Sequence, residues 1–313
     1  MATPAQPGDR PGAPRYRGRF APSPTGPLHF GSLVAATASY LDARSRGGQW
    51  YVRMEDVDRP REMPGAAKRI LHTLESLGLH WDGAVLYQSQ RHAAYDAALE
   101  QLAASGAIYP CACSRREIAD SAVAGPAGAV YPGTCRNGLP PGRTGRALRA
   151  RVAAQPIAFE DRLQGRRCQH LATEVGDFVV RRADGFIAYQ LAVVVDDAAQ
   201  HITDVVRGCD LLDSTPRQIH LQRRLGLPTP AYLHLPVAVN ANGDKLGKQT
   251  GARSIEDREP RGLLLDVLRF LNQRPPEALA HGTRDELWRW AISHWNAERI
   301  PAATTRPYGC ASG

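Results

Sequence analysis

The sequence predicts an α/β protein built around a parallel β-sheet, and three observations favour that class. The strand candidate RGRF enters a proline-rich turn, a helix candidate follows at 28–45, and a second strand candidate lies at 49–56. This order forms a βαβ unit, whose right-handed crossover makes its two strands parallel. Two further strand candidates, 201–208 and 232–239, flank a helix candidate at 214–226. Apolar residues make up 43% of the 313 residues, which is enough for a sizeable core.

Each element of the first half has a local signal. Small and apolar residues recur at helical spacing over 28–45, and a glycine pair ends the run. Residues 49–56 alternate between apolar and polar side chains, as in a strand with one buried face. Two more helices are predicted at 65–78 and 91–106, and each ends at a glycine.

The second half begins with a change in composition. Between residues 109 and 176, arginine, glycine, alanine and proline are frequent and no helical period is sustained, which indicates an inserted module. Within 177–197, Asp184 and Gly185 form a hairpin signal between two strand-like runs. Apolar periodicity at 262–272 and 284–296 predicts two helices near the end of the chain.

Charge and hydropathy restrict the classes of partner. The net charge of +8 suits a polyanionic partner, although a generally basic enzyme would show it too. No apolar stretch approaches the ~20 residues that cross a bilayer. The first 18 residues lack the apolar core of a secretory signal. We therefore expect a cytoplasmic protein without membrane contact, and we expect it to be a monomer.

The stretch RFAPSPTGPLHFGS, residues 19–32, has the composition of a phosphate-binding helix entrance. A helix N-terminus presents unpaired N–H groups and a partial positive charge to an anion. Gly31 would allow a nucleotide to approach the backbone, and His29 would donate a hydrogen bond to a phosphate oxygen.

A second signal lies in GDKLGKQ, residues 243–249. Lysine occurs at only three positions, Lys68, Lys245 and Lys248, whereas the other basic residues are arginine. Two lysines in one glycine-rich loop therefore suggest a function for the ammonium groups. Together with His29, they would stabilise charge on a transferring phosphate from two sides.

These two stretches, together with VRMEDVDRPR and VVRGCDLLDSTPRQ, resemble the class I glutamyl-tRNA synthetases over residues 17–255. The resemblance implies a Rossmann-type catalytic domain that joins L-glutamate to ATP as glutamyl-adenylate, with Mg²⁺ on the phosphates. Two details depart from the family pattern. Gly247 and Gln249 replace the serines of its lysine loop, and Ser32 ends the histidine-containing stretch 19–32, where the family usually has glycine or histidine.

The resemblance also implies site residues. His29, Lys245 and Lys248 would be catalytic, and ATP would contact His29, Gly31 and Lys248. Arg19 would bind a substrate carboxylate and Glu55 the amino group. The implied glutamate-binding set is Arg19, Phe20, Ala21, Pro22, Ser23, Glu55, Tyr189 and Arg207. An ordinary ion pair with Asp210 is the alternative role for Arg207.

The chain after the lysine loop is too short for the anticodon-binding domain of the full synthetases. We therefore expect a shortened paralogue that activates glutamate without tRNA and transfers it to the queuosine base in the anticodon of tRNA(Asp). Three alternatives are a short synthetase that charges the 3′ end of tRNA(Glu), a nucleotidyltransferase of the same superfamily, and a non-catalytic zinc-containing tRNA-binding protein.

Three cysteines of the inserted module, Cys111, Cys113 and Cys135, suit one structural Zn²⁺. The resemblance implies Tyr131 as the fourth ligand, although a phenolate is uncommon on zinc, and Cys168 or His170 are alternatives. Metal-free cysteines are the remaining possibility.

The expected division of the chain follows from these signals. It is a disordered tail at 1–16, a discontinuous Rossmann-type catalytic domain at 17–108 and 187–258, an inserted zinc and acceptor module at 109–186, and a helical C-terminal segment at 259–313.

Overall fold

The computed structural model describes residues 15–125, 128–246, 255–256 and 258–308. The helices are α1 (Phe30–Arg44), α2 (Ala66–Ser76), α3 (His92–Ala104), α4 (Arg115–Ser121), α5 (Leu171–Glu174), α6 (Tyr189–Ala199), α7 (Thr215–Leu225), α8 (Pro260–Phe270) and α9 (Arg284–His294). The strands are β1 (Arg17–Phe20), β2 (Gln49–Met54), β3 (Leu86–Tyr87), β4 (Ile108–Cys111), β5 (Val123–Gly125), β6 (Gly128–Val130), β7 (Ala147–Ala150), β8 (Ile157–Asp161), β9 (Gly165–Gln169), β10 (Phe178–Arg181), β11 (Asp204–Gly208), β12 (Ala231–Leu235), β13 (Val237–Val239) and β14 (Thr305–Pro307).

Two sheets with parallel strands carry the fold. β1, β2 and β3 form one of them, with both pairs parallel. In the other, β11, β12 and β8 are parallel and β9 is an antiparallel edge. The backbone of β1 is tied to the residue before β11, since the Thr203 N–H donates to the Arg17 carbonyl. The predicted βαβ unit is confirmed, because β1 and β2 are parallel and α1 connects them.

Two apolar cores lie on either side of these sheets. One joins α1 to the two C-terminal helices, α8 and α9, through side chains such as Leu33, Leu264 and Leu287. The other joins α3, α6 and α7 through side chains such as Tyr95 and Leu191. The predicted helices at 65–78, 91–106, 214–226, 262–272 and 284–296 are all confirmed as elements.

Some residues lie in other surroundings or elements than the sequence patterns predict. Tyr16, assigned to the tail, is buried and its hydroxyl donates to Asp42 at 2.6 Å, whereas residues 1–14 lie outside the described part of the chain. The strand predicted over 232–239 is broken at Pro236, which has no N–H for a ladder, so β12 and β13 belong to different sheets.

The second strand-like run after the Asp184–Gly185 turn is the helix α6. Only a bridge between Arg181 and Ile187 remains of the predicted hairpin. Burial of the valines against the second core overrides their strand preference.

The inserted segment is not separate along its whole length. β4, β7 and β10 form an antiparallel sheet, but β8 pairs in parallel with β12 of the catalytic part. The C-terminal segment contains a strand as well as helices, since β14 pairs with β13. The proposed four-part division stays a prediction. Among the described helices, none has both the length and the apolar character required to cross a bilayer.

Candidate active site

A cavity of about 870 Å³ opens at the carboxyl ends of β1, β2, β11 and β12. This is the edge at which open α/β sheets bind ligands. Among the residues that line it are Arg19, Phe20, Ala21, Pro22, Ser23, His29, Gly31, Glu55, Tyr189, Arg207 and Lys245. Every predicted glutamate-site and ATP-site residue within the described ranges therefore faces one space. Lys248 lies outside the described residues, as do Gly247 and Gln249.

His29 is the N-cap of α1. Its Nδ1 accepts the backbone N–H of Ser32 at 3.3 Å, and its Nε2 lies 3.0 Å from the Ser32 hydroxyl oxygen. Ser32, a departure from the family pattern, thus fixes the imidazole at the helix entrance. A Cβ on Gly31 would lie 3.4 Å from this ring and 3.8 Å from the carbonyl oxygen of Leu246. The lysine loop therefore reaches the start of α1, as its predicted function requires.

Lys245 lines the same cavity as His29. Its ammonium donates to Asp210, in the turn after β11, and its backbone bridges to Val239. Asp210 therefore pairs with Lys245, and Arg207 makes its hydrogen bonds elsewhere, so the alternative role for Arg207 is wrong.

Arg207 is only 4% exposed and its hydrogen bonds hold it in place. Nε donates to His234 Nε2 at 3.0 Å, and Nη2 donates to Thr215 Oγ1 at 2.8 Å. Nη1 lies 3.4 Å from the hydroxyl oxygen of Tyr189, the first residue of α6. This places a guanidinium nitrogen beside a phenol on the cavity wall.

Arg19 shares a buried carboxylate with a second arginine. Its Nε donates to Asp197 at 3.1 Å, and Nη1 of Arg53 donates to the same oxygen at 2.8 Å. Burial alone would raise the pKa of Asp197, but the two guanidinium groups hold it below its usual value. Sequence reasoning missed both Arg53 and Asp197. The acidic pair that ends the apolar run VVVDD was the available signal.

Glu55 follows β2 in the cavity wall, and its side chain is 10% exposed. Its backbone N–H donates to the carbonyl of Pro22 at 2.9 Å. Its Oε1 has no hydrogen-bond partner among the described residues, and Arg53 Nη2 is 3.6 Å away. Burial raises the pKa of this carboxyl group. A buried acceptor without a partner is costly, so the geometry favours a ligand that brings a donor, such as an ammonium group.

The thiols of Cys111, Cys113 and Cys135 form a cluster in which the sulfur atoms lie within 4.8 Å of one another. The Tyr131 hydroxyl oxygen is 3.5 Å from Cys111 Sγ and 3.7 Å from Cys113 Sγ, and it accepts the Cys135 backbone N–H at 3.0 Å. Exposed Cys168 is not part of this cluster, and neither is His170.

Arg149 adds positive charge to the cysteine cluster. Its Nε donates to Cys111 Sγ at 3.3 Å, and its guanidinium carbon is 3.8 Å from the centre of the Tyr131 ring. Burial would raise the pKa of Cys111, but hydrogen bonds from Tyr131 and Arg149 lower it. Burial also raises the pKa of Tyr131, so its phenol stays protonated unless a cation displaces the proton. Three sulfur donors and one oxygen donor fit the four positions around a tetrahedral metal ion.

Comparison with known proteins identifies the family. The family model for the catalytic domain of class I tRNA synthetases (E and Q) matches residues 15–274. The chain belongs to this family. The resemblance expected from the four motifs is confirmed, and membership in this synthetase family makes the chain an ATP-dependent ligase.

Similar relatives include two proteins named glutamyl-Q tRNA(Asp) synthetase. The one from Dechloromonas aromatica is 62% identical over 288 residues, which span 91% of this chain and 96% of the relative. The one from Chromobacterium violaceum is 58% identical over 92% of this chain and 96% of the relative. A glutamate–tRNA synthetase structure from Elizabethkingia anophelis aligns with a TM-score of 0.79 at 24% identity. It covers 95% of this chain and 68% of that chain, and it supports the synthetase fold.

Proposed function

We propose that this synthetase activates L-glutamate with ATP, without tRNA, and then transfers the glutamyl group to the queuosine base in the anticodon of tRNA(Asp). Relatives with that name match nearly the whole chain at 54–62% identity. The observation that carries the first step is the convergence of Arg19, Glu55 and Arg207 on the cavity that His29 also lines.

The proposed binding of glutamate follows from charge. The amino group donates to Glu55, whose Oε1 accepts no hydrogen bond from the described residues, and this contact keeps the carboxylate ionised. The two carboxylates of glutamate need cationic donors, which Arg19 supplies from β1 and Arg207 from β11. The cavity thus matches a molecule with one positive and two negative groups.

Activation then joins the α-carboxylate of glutamate to ATP. A carboxylate oxygen attacks the α-phosphorus, the bond to the bridging oxygen of pyrophosphate breaks, and pyrophosphate leaves with the electron pair. The N-terminus of α1, His29 and Lys245 stabilise the phosphates, and family resemblance adds Lys248. Mg²⁺ would supply further positive charge to the phosphates when bound.

Transfer completes the reaction. A hydroxyl oxygen of the queuosine ring attacks the carbonyl carbon of glutamyl-adenylate, an ester bond forms, and AMP leaves with the oxygen that it shared with the carboxyl group. The net charge of +8 favours an RNA acceptor.

The acceptor is tested by following radioactive glutamate onto purified tRNA(Asp) with and without queuosine, and onto tRNA(Glu). We expect label only on queuosine-containing tRNA(Asp), in a form that survives removal of the 3′-terminal adenosine. Label at the 3′ end of tRNA(Glu) would instead establish a short glutamyl-tRNA synthetase.

Replacement of Lys248 by Ala should lower glutamate-dependent ATP–pyrophosphate exchange strongly without affecting folding, and unchanged exchange would remove that lysine from the mechanism.

Cys111, Cys113, Cys135 and Tyr131 would hold one Zn²⁺, which would connect β4 to the loop before β7. Elemental analysis of the purified chain should find one zinc per molecule. Cys113→Ser should lose it, whereas Cys168→Ser, the matched exposed control, should retain it. Folded wild-type protein without zinc would contradict this assignment. The expected monomeric state and cytoplasmic location stay predictions.

A further inference from the structure

A line of hydrogen bonds enters the cavity wall from the inserted segment. Asp161, at the end of β8, lies with Oδ2 2.6 Å from Nδ1 of His234, on β12. The other ring nitrogen of His234, Nε2, accepts from Nε of Arg207, on β11, at 3.0 Å. The exposed fractions of the three residues are 3%, 0% and 4%, so water does not compete for these contacts.

The positions of the protons follow from the partners of Asp161. Its Oδ1 accepts three backbone N–H groups, those of Leu163 at 3.0 Å, Gln164 at 2.8 Å and His234 at 3.2 Å. Burial would raise the pKa of Asp161, but the hydrogen bonds from His234 and these amides lower it. An ionised carboxylate cannot donate, so Nδ1 of His234 carries the proton.

The protonation state of the other ring nitrogen of His234 is determined in the same way. The guanidinium of Arg207 has only donors, so Nε2 of His234 must be unprotonated. Burial, together with the Arg207 charge, holds the pKa of His234 below its usual value despite the nearby carboxylate. The imidazole is therefore neutral and has one tautomer, which the residues on its two sides impose.

We propose that Asp161 and His234 are positioning residues that hold Arg207 in the orientation required to bind the glutamate substrate. His234 and Thr215 engage Nε and Nη2 of Arg207, whereas Nη1 lies beside the hydroxyl of Tyr189, another implied glutamate contact. Guanidinium recognition of a carboxylate depends on this orientation. The proposal rests on the proposed function, since that function supplies the carboxylate.

Strand pairing explains why the groups meet. Arg207 and His234 are partners in the parallel register of β11 and β12, and Tyr232 is the partner of Asp161 where β8 joins β12. Asp161 of the inserted segment therefore acts on the glutamate site through the sheet, and it is not among the residues that line the cavity.

Asp161→Asn is the decisive variant. An asparagine amide can accept the backbone N–H groups with its oxygen and donate to Nδ1 of His234 with its nitrogen. The imidazole proton then moves to Nε2. The Nε2–H of His234 and the Nε–H of Arg207 are both donors, so the hydrogen bond between them is lost. We expect the KM for glutamate in ATP–pyrophosphate exchange to rise about 10-fold or more, with the KM for ATP changed by less than about 2-fold. A purely structural role would alter both KM values or neither.

A spectroscopic readout accompanies the kinetics. Nitrogen-15 NMR of histidine-labelled protein should show His234 protonated at Nδ1 in the wild type and at Nε2 in Asp161→Asn. His234→Gln, which retains an acceptor for Arg207, should bind glutamate better than His234→Leu. His220→Leu is the control, because this buried histidine of α7 does not line the cavity.

Each outcome decides the proposal. Wild-type His234 protonated at Nε2 would overturn it, as would an unchanged glutamate KM in folded Asp161→Asn or His234→Leu protein. If Asp161→Asn does not fold, the comparison of the Gln and Leu variants at His234 decides. Wild-type protein without any glutamate-dependent exchange would reject the proposed function instead, and the tautomer measurement would still stand on its own.

Discussion

His220 shows how one buried side chain makes stability depend on pH. The imidazole is 5% exposed on α7 and its ring packs edge-on against Phe178. Burial lowers the pKa of His220 to about 4, whereas an unfolded histidine titrates near 6.5. Between these values the unfolded chain binds a proton that the folded chain does not, so stability falls as pH decreases from about 6.5 to about 4.

We predict that His220→Leu removes part of this acid sensitivity. From pH 7.5 to pH 5 the wild type should lose about 2 kcal/mol of unfolding free energy through this residue, and the variant should not. Urea unfolding followed by circular dichroism at both pH values measures the difference. A gap between the two proteins that is the same at pH 7.5 and pH 5 would contradict the prediction.

Among individual residues, the sequence identified those that lie in recognisable motifs and missed those that hold them in place. His29, Glu55 and Arg207 lie in recognisable stretches, and all three line the cavity. Asp161 and His234 lie in stretches without a motif, and their roles depend on strand pairing across 73 positions of the chain. Such contacts have no local signature, so periodicity and spacing could not reveal them.

Helix α1 illustrates how an element can be built for a ligand rather than for stability. Gly31 occupies its second position and has a φ angle that other residues adopt, and a Cβ there would meet nothing closer than 3.4 Å. Glycine in a helix costs about 1 kcal/mol relative to alanine. Its presence at the cavity therefore indicates clearance for a bound molecule.

We predict that Gly31→Ala leaves the melting temperature unchanged or raises it, while increasing the KM for ATP about 10-fold. Thermal unfolding and pyrophosphate exchange measure the two effects. Ala35→Gly, also on the cavity side of α1, is the reverse control and should lower stability. An unaltered ATP KM in Gly31→Ala would show that the nucleotide lies elsewhere.

Elements with amphipathic helical periods were predictable, whereas short strands and the valine-rich α6 were not. α7 combines Pro216 near its start with Gly226 after its end at a φ of 66°, and these signals are local. α6 has three consecutive valines, a strand preference that only burial in the second core overrides.

At the scale of the molecule, Asp42 joins three parts of the chain. This fully buried carboxylate of α1 accepts hydrogen bonds from Tyr16 before β1, from Arg162 after β8 and from Trp295 after α9. The contacts connect the first sheet, the inserted segment and the C-terminal helices. Because the Asp42 carboxylate is fully buried and the Tyr16 hydroxyl that donates to it belongs to a buried residue, loss of the carboxylate leaves a buried donor without its partner, which is costly.

We predict that Asp42→Ala lowers the free energy of unfolding by about 3 kcal/mol. Asp120→Ala, on the exposed face of α4, should change it by less than about 0.5 kcal/mol. Equilibrium urea unfolding measures both. Equal effects of the two substitutions would show that Asp42 does not join these parts.

The layout of the whole molecule was only partly predictable. The parallel sheet followed from one βαβ unit, but the attachment of β8 to β12 and the return of β14 to β13 depend on contacts far apart in sequence. The compositional change near residue 109 marks an insertion, yet it carries no information on which of its strands rejoin the larger sheet.

The pairing of β14 with β13 has a consequence for biosynthesis. β13 leads directly into the loop that carries Lys245, and its strand partner among the described residues is Thr305–Pro307. A ribosome must therefore translate past residue 307 before this strand pair can form. The nascent polypeptide can therefore complete the strand pair beside its nucleotide-binding loop only after residue 307 has been translated, so shorter nascent chains should be inactive.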